Sequence, residues 1–176
     1  TAYVANSFNN TVSKFYFIQD FEPFFYEVGS EYALAENTYK FGFRGITAGD
    51  WLAKKCHDEY GMETRSFGFS YDNTYYHERV RDDKKKRVFY YARPYTKRRA
   101  FEIGMMSLKM LKEKMPEVEI VTAGQNLRDF DISFDYKNMG ILSFEEVAKI
   151  YANCDLCLVL SMTNLSLLPL EVMASG

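Results

Sequence analysis

Apolar and polar positions alternate most regularly in the second half of the chain. Short β-prone runs at 88–92, 119–123 and 154–160 are separated by segments of helical spacing at 98–115 and 143–152. Ser143 and Glu146 give the second helical segment a capping-box signature at its start. Strands that alternate with helices form a parallel sheet with helices on both faces. The pattern therefore predicts a Rossmann-like α/β unit, in which the apolar run 156–160 of the last strand is buried on both faces.

The first half shows the same alternation in a less regular form. Two β-prone runs, at 14–18 and 44–49, alternate with helical spacing at 30–39 and 51–60. We expect the helix over 51–60 to carry Trp51, Leu52 and either Lys55 or Cys56 on one face. The first half is thus also predicted to alternate strands with helices.

Between the two halves the periodicity is lost. Gly, Ser, Asn, Asp and Tyr dominate at first, and a run of charges follows up to residue 87. This composition is typical of an interdomain linker, and its charge run, 84–87, is expected to be solvated. We therefore predict a first domain over 1–70, a linker over 71–87 and a second domain over 88–176.

Composition and charge narrow the classes of protein that fit this pattern. With 47% hydrophobic and 26% charged residues, the chain has the composition of an ordinary globular protein. Its formal net charge of −2 provides no overall basic field for nucleic acid. The apolar runs are too short to span a membrane, and the first residues do not resemble a signal peptide. The three cysteines do not suggest a disulfide framework. We expect a cytoplasmic protein with reduced thiols.

The loop over 93–99 carries the most specific candidate chemistry. Ligands of parallel sheets bind at the carboxyl ends of the strands, where the loops 93–99, 124–135 and 161–171 are predicted to lie. The first of these loops places Arg93, Lys97, Arg98 and Arg99 between a strand and a helix. Guanidinium groups and free helix N–H groups together suit a diphosphate. The alternative is a solvated basic face.

The third loop ends in one carboxylate, Glu171, at the predicted start of a helix. A carboxylate at this place of a dinucleotide-binding fold accepts hydrogen bonds from the hydroxyl groups of a ribose. The alternative is that its charge complements the helix dipole, an effect of a few tenths of a kcal/mol. Both interpretations can hold at once.

Two other motifs carry less weight. Cys154 and Cys157 have the spacing of a thiol pair, but residues three apart on a strand point to opposite faces, so buried structural cysteines are expected. Asp129 and Asp131 resemble the aspartate pair that holds a divalent metal in one glycosyltransferase fold. Such short matches arise easily by chance, and we interpret this segment as a loop.

Several segments, taken together, resemble the GT-B glycosyltransferases of the family 4 type. Residues 138–161, with Gly, Leu, Ser, paired acids, Tyr, Asp and a terminal Ser, and residues 169–176 match that family's donor region. Its rhamnosyltransferase branch, which builds bacterial surface polysaccharides, is more similar still. The segments that carry this closer similarity are 17–23, 29–36, 45–52 and 91–94.

The resemblance implies a fold of two Rossmann-like lobes, the first on the acceptor side and the second binding the donor. The chain is expected to be a fragment that lacks the start of the first lobe and the end of the second. One position departs from the family's pattern. The family has two glutamates eight positions apart, and Thr163, with Asn164 beside it, stands where the first would be.

The resemblance also implies an activity, namely transfer of a sugar, rhamnose or another hexose, from a nucleoside-diphosphate sugar to a glycan or lipid-linked glycan acceptor. Enzymes of this type use no bound metal or other cofactor at the leaving group, so cationic side chains must stabilise the diphosphate. Arg93 and Arg98 are assigned that catalytic role. The residues expected to bind substrate are Lys97, Arg99, Glu171, Asn164, Ser166, Asp20 and Glu22.

Three functional hypotheses remain. The first is a cytoplasmic glycosyltransferase of cell-surface polysaccharide synthesis, with peripheral association at the inner face of the membrane as an option and no nucleic-acid partner. The second is a non-catalytic nucleotide- or glycan-binding module derived from such an enzyme, suggested by the missing acid. A metal-dependent transferase that uses Asp129 and Asp131 is the third and most remote. For Asp20 and Glu22, a loop-capping role is the alternative to acceptor binding.

Overall fold

A computed structural model describes residues 2–81 and 83–176 of the chain. It divides into two compact units, Thr1–Phe69 and Ser70–Gly176. Each unit is built around a parallel sheet of its own. The chain is therefore an α/β protein of Rossmann-like character. The second unit includes the segment 71–87, for which the sequence predicted a linker.

The first unit contains a three-stranded parallel sheet of order β1-β2-β3. One-turn 3₁₀ helices at Glu22–Phe25 and Thr38–Lys40 complete the connections. Its helices and strands are α1 (Ala2–Ser7), β1 (Phe15–Ile18), α2 (Ser30–Asn37), β2 (Arg44–Ala48), α3 (Asp50–Tyr60) and β3 (Thr64–Phe67).

Helix α3 covers one face of this sheet, but not in the orientation that the sequence suggested. Leu52 and Cys56 are buried against Ile18, whereas Trp51 is 62% exposed. The expectation for Trp51 was wrong because a helix this short buries a narrow stripe, and residues four apart occupy it. Lys55 instead lies near Trp51, with Nζ 6.0 Å from the ring centroid.

The second unit contains a four-stranded parallel sheet of order β6-β5-β4-β7. A 3₁₀ turn at Lys97–Arg99 precedes its longest helix. Its elements are β4 (Arg87–Tyr91), α4 (Phe101–Lys114), β5 (Glu119–Ala123), β6 (Lys137–Asn138), α5 (Phe144–Ala152), β7 (Leu156–Leu158) and α6 (Leu168–Ala174).

Strand β4 is buried on both faces, because alternate side chains enter two separate cores. Tyr90 packs on one side with Phe101 and Leu108 of α4. Phe89 packs on the other side with Val147 of α5. This arrangement of helices on both faces of a parallel sheet is the one predicted from the alternation of elements. The predicted capping box of α5 is also present, with the Glu146 carboxylate accepting the Ser143 backbone N–H at 2.8 Å.

Two boundaries differ from the sequence prediction. The helix predicted over 98–115 begins only at Phe101, because Ala100 has a left-handed backbone with φ of 51° that interrupts the preceding turn. The strand predicted over 154–160 is limited to Leu156–Leu158 and lies at the edge of the described sheet. Leu156 is 55% exposed, so the expectation of burial on both faces was wrong. An edge strand pairs on one side only, and among the described strands β7 pairs only with β4.

No helix within 2–81 and 83–176 is long and apolar enough to cross a lipid bilayer, which needs about 20 apolar residues.

Helix α4 approaches β4 closely at Gly104, which generates a first testable prediction. A Cβ at this position would lie 2.5 Å from the Tyr90 hydroxyl oxygen and ring, and Tyr90 is 2% exposed. Gly104→Ala should therefore lower the free energy of unfolding by about 1–3 kcal/mol, although alanine is the better helix former. Chemical denaturation measures this loss. The exposed Met106→Ala on the same helix is the control, and an unchanged or higher stability of Gly104→Ala would refute the close packing.

Candidate functional site

The sheet of the second unit reverses its direction of growth at β4. From β4 the chain continues outward to β5 and β6, and it then returns to add β7 on the opposite side of β4. Ligands of open parallel sheets bind outside the carboxyl ends of the strands at such a switch point. The loops that follow β4 and β7 meet there, whereas the loop that follows β5 lies farther along the sheet.

A cavity of ≈ 220 Å³ lies at this switch point. It is lined by the loops after β4 and β7, by α5 and α6, and by a short stretch that precedes β4. Four residues that the sequence assigned to a substrate site line the cavity together. They are Arg93, Arg99, Ser166 and Glu171.

Lys97, Arg98 and Asn164 belong to the same two loops but do not line the cavity. Arg99 and Asn164 connect the loops, because Arg99 Nη1 donates to the Asn164 carbonyl oxygen at 3.0 Å. The Met162 backbone N–H donates to the Arg98 carbonyl oxygen at 2.7 Å. The two loops are therefore held as one structure beside the cavity.

Both loops contain backbone in an unfavourable conformation. Ala100 and Ser166 are the non-glycine residues with positive φ in the described part of the chain, at 51° and 62°. The Ser166 backbone N–H donates to the Asn164 side-chain oxygen at 2.8 Å, which helps to hold that turn. Such conformations persist only where surrounding contacts enforce them, and they concentrate at functional sites.

Arg93 is exposed at the mouth of the cavity and is supported by an aromatic ring. Its guanidinium carbon lies 4.9 Å from the centroid of the Tyr91 ring. That ring in turn depends on Gly124, whose φ is 102° and where a Cβ would lie 2.6 Å from the Tyr91 ring. A cation above an aromatic face is attracted by the ring quadrupole. The end of β5 thus provides the space that lets Tyr91 orient Arg93.

Glu171 lies in the first turn of α6 and is half-buried in the cavity wall. Burial raises the pKa of its carboxyl above the ordinary value. Among the residues that the structure describes, none donates a hydrogen bond to this carboxylate or forms an ion pair with it. A half-buried acceptor of this kind is suited to a ligand that brings its own donors.

Asp20 and Glu22 belong to the first unit, where their carboxylates have partners. Asp20 Oδ1 accepts the Phe21 backbone N–H at 2.8 Å, and Asp20 is 8% exposed. Glu22 Oε2 accepts the Tyr16 hydroxyl at 2.9 Å. These contacts are those of the loop-capping role that was the alternative for the pair.

The remaining sequence motifs do not form a metal site in the described residues. Cys154 and Cys157 are free thiols whose pKa burial raises to about 12, so both stay protonated at neutral pH. Asp129 and Asp131 are exposed. Within 2–81 and 83–176 no group of three His, Cys, Asp or Glu side chains is arranged to hold a metal ion.

Sequence reasoning missed the aromatic part of the cavity wall. Tyr76, Tyr91, Tyr151 and Phe144 all line it, and Tyr76 stacks on Tyr151 with ring centroids 6.0 Å apart. Tyr151 carried a usable signal, because it lies on the apolar face of the predicted helix over 143–152. Tyr76 carried none, since the residues around it are polar and without periodicity.

Two models of one family match the chain. Residues 86–176 match the model described as WsaF, C-terminal domain, and residues 2–50 match WsaF, N-terminal domain. The chain is also 38% identical over 166 residues to the O-antigen biosynthesis protein RfbC of Myxococcus xanthus. That alignment covers 92% of this chain and 13% of RfbC, so the chain spans a small part of its relative.

The link between the two loops generates a second prediction. Arg99→Met keeps most of the side-chain volume but removes the hydrogen bond to Asn164, and it should lower the free energy of unfolding by about 1 kcal/mol. Hydrogen exchange of the backbone amides over 161–167 should quicken in the variant. The exposed loop residue Arg128→Met is the matched control. Equal exchange in Arg99→Met and the control would show that the loops are held by other contacts.

Proposed function

The chain belongs to the WsaF family, and we propose on that premise that its second unit binds the nucleoside-diphosphate sugar of a glycosyltransferase of surface-polysaccharide synthesis. The family matches and the RfbC relative support a glycosyltransferase-like protein of polysaccharide biosynthesis. One structural observation carries the rest of the proposal. The cavity at the switch point has guanidinium groups, Arg93 and Arg99, and a carboxylate, Glu171, in its lining.

The guanidinium groups suit the diphosphate of the donor. In sugar transfer, the bond between the anomeric carbon and the diphosphate oxygen breaks while a bond to an acceptor hydroxyl oxygen forms. Negative charge then develops on the leaving diphosphate, and fixed cations stabilise it. Arg93 and Arg99 line the cavity, and we assign Arg98 and Lys97 of the same loop to the outer part of this cationic site.

The carboxylate suits the pentose of the nucleotide. Glu171 is an acceptor without a donor from the described protein, and vicinal ribose hydroxyls are donors. Ser166 and Asn164 lie in the turn before α6 and can add hydrogen bonds to phosphate or sugar. Rhamnose remains our proposal for the transferred sugar, on the basis of the sequence resemblance.

For the acceptor we propose a glycan or a lipid-linked glycan, as the reaction requires a hydroxyl nucleophile. Asp20 and Glu22 of the first unit stay our candidates for binding it, although their carboxylates already accept hydrogen bonds within that unit. A cytoplasmic location, with association at the inner face of the membrane, belongs to the same proposal.

A second candidate function is a binding module without catalytic activity. The observation that favours it is Thr163, at the position where the resembled family has its first glutamate. The Thr163 hydroxyl lies 3.4 Å from the Ser161 hydroxyl, so this part of the loop offers hydroxyl groups and no carboxylate. Transfer and hydrolysis assays with a panel of nucleotide sugars, with and without a chelator, distinguish this module from an enzyme and test metal dependence.

Arg93→Lys provides the sharpest test of the diphosphate site. Lysine keeps the charge but lacks the planar pair of donors that binds two phosphate oxygens, and it stacks less well on Tyr91. We expect affinity for uridine or guanosine diphosphate to fall about 10-fold, a loss of about 1.4 kcal/mol. Affinity for the corresponding nucleosides should not change. Isothermal titration calorimetry measures both.

Lys85→Ala is the control for this experiment, because Lys85 is an exposed cation that does not line the cavity. It should bind diphosphate and nucleoside as the wild type does. If the wild type binds nucleotide and Arg93→Lys binds the diphosphate with the same affinity, the diphosphate does not bind at this loop.

Glu171→Gln tests the pentose end of the site. The substitution preserves volume but replaces a charged acceptor by a neutral one, so nucleotide binding should weaken by about 1–3 kcal/mol. Because the carboxylate has no described protein partner, the thermal stability of the variant should not fall. Calorimetry and a thermal melt measure the two effects. Unchanged affinity for nucleotide would leave Glu171 as a charge near a helix end.

A further inference from the structure

Tyr76 belongs to a segment that the sequence assigned to a linker, yet the structure buries it in the second unit. A turn at Asp72 begins this stretch, where the Tyr76 backbone N–H donates to the Asp72 carbonyl oxygen at 3.0 Å. Tyr76 is 5% exposed and packs in one core cluster with Phe89 and Tyr151. The segment is therefore docked on the sheet by a large aromatic side chain.

A second contact anchors the same segment at the opposite end of the sheet. Arg81 Nη1 donates to Asp155 Oδ1 at 2.7 Å, and Arg81 Nη2 donates to the Asn153 carbonyl oxygen at 3.3 Å. Asp155 directly precedes β7, so this contact lies at the amino ends of the strands, whereas Tyr76 lies at the cavity at their carboxyl ends. The segment thus runs along the sheet from one end to the other.

Tyr76 brings a phenol hydroxyl to a cavity wall that already contains Tyr151 and Glu171. In the described part of the chain, neither phenol hydroxyl forms a hydrogen bond with another protein group, and the Glu171 carboxylate accepts none. All three residues line the same cavity, and the ring centroids of Tyr76 and Tyr151 are 6.0 Å apart. Burial raises the pKa of Tyr76 to about 12, so its hydroxyl keeps its proton at neutral pH.

These groups define the chemistry of a ligand. A carboxylate only accepts hydrogen bonds, whereas a neutral phenol hydroxyl donates one and accepts others. A vicinal diol matches this set, because its hydroxyl hydrogens can bond to the carboxylate while its oxygens accept from the phenols.

We propose that Tyr76 and Tyr151 form, with Glu171, the subsite that binds the pentose hydroxyls of the nucleotide. The docked segment over 71–81 is then part of the donor site. This inference rests on the proposed function and adds to it a specificity residue from outside the loops after β4 and β7. It also makes nucleotide binding and the docking of this segment mutually stabilising.

A comparison of Tyr76→Phe with the wild type in the full chain tests the proposal. The variant removes one hydroxyl and keeps the ring that packs on Tyr151. We expect affinity for uridine and guanosine diphosphate to fall about 3- to 10-fold, as for the loss of one hydrogen bond. Affinity for their 2′,3′-dideoxy counterparts should not change, because those ligands lack the hydroxyls. Tyr75→Phe is the matched control, since Tyr75 contacts Phe144 but does not line the cavity.

Hydrogen exchange supplies a second readout that does not depend on this variant alone. Saturating uridine or guanosine diphosphate should slow exchange of the amides over 72–81 in the wild type, and less so in Tyr76→Ala. If the wild type binds neither diphosphate, the proposed function fails and this inference fails with it. Alternatively, the wild type binds and Tyr76→Phe loses the same affinity for the diphosphates and for their 2′,3′-dideoxy counterparts, or loses no affinity. Either result overturns the pentose subsite and leaves the proposed function standing.

Discussion

The second unit depends above all on the burial of β4 on both faces. Val88 and Tyr90 enter one core and Phe89 enters the other, while β5 and β7 pair with the strand on its two sides. A strand enclosed in this way cannot shift its register by one residue, because every side chain would then change core. The residues that follow the strand, Arg93 among them, therefore start from a fixed position.

That fixed position is carried into the loops by specific contacts. The backbone bond between Met162 and Arg98 and the side-chain bond from Arg99 to Asn164 join the two loops, which the sequence separates by more than 60 positions. Ala100 and Ser166 adopt left-handed backbone in the same loops. This strained backbone persists because the strands and the contacts between the loops restrict the conformations that the chain can adopt there. In the proposed diphosphate site, preorganisation of this kind would keep the cations in place before a ligand arrives and so lower the cost of binding.

The sequence was sufficient to predict the parts of the fold whose side chains follow a period. Strands β4, β5 and β7 and helices α4 and α5 were expected from alternation, as was the capping box at Ser143. Arg93, Arg99 and Glu171 were identified as candidates because topology places their loops at a switch point and because their charges suit a nucleoside diphosphate. Their contacts with one another, such as that of Arg99 with Asn164, depend on backbone geometry that no local pattern encodes.

The errors have a common physical origin, because each concerned a residue whose burial is decided by distant partners. Trp51 is large and apolar, yet the sheet has space only for the stripe that contains Leu52. Tyr76 stands among polar residues, yet Tyr151 and Phe89 provide an aromatic surface that covers it. Residue type predicts a preference for burial, whereas the shape of the neighbouring surface determines which residues obtain it.

The two ends of the second sheet differ in how their charges are satisfied. At the amino end, Arg87 pairs with Glu119 at 2.6 Å and with Asp83 at 2.7 Å, and the Arg87 side chain is 14% exposed. Arg87 lowers the pKa of the Asp83 carboxyl to about 2, so this ion pair persists throughout the neutral range. The expectation of a wholly solvated run over 84–87 was therefore wrong for its last residue.

At the carboxyl end, in the described residues, neither Arg93 nor Glu171 forms an ion pair, although both line one cavity. Pairing them with each other would stabilise the protein alone, but it would also neutralise the charges that the proposed diphosphate and pentose ligands need. The unit instead obtains its electrostatic stabilisation at the end of the sheet where no ligand is expected. Separate placement of paired and unpaired charges on one sheet is what a binding site at the switch point requires.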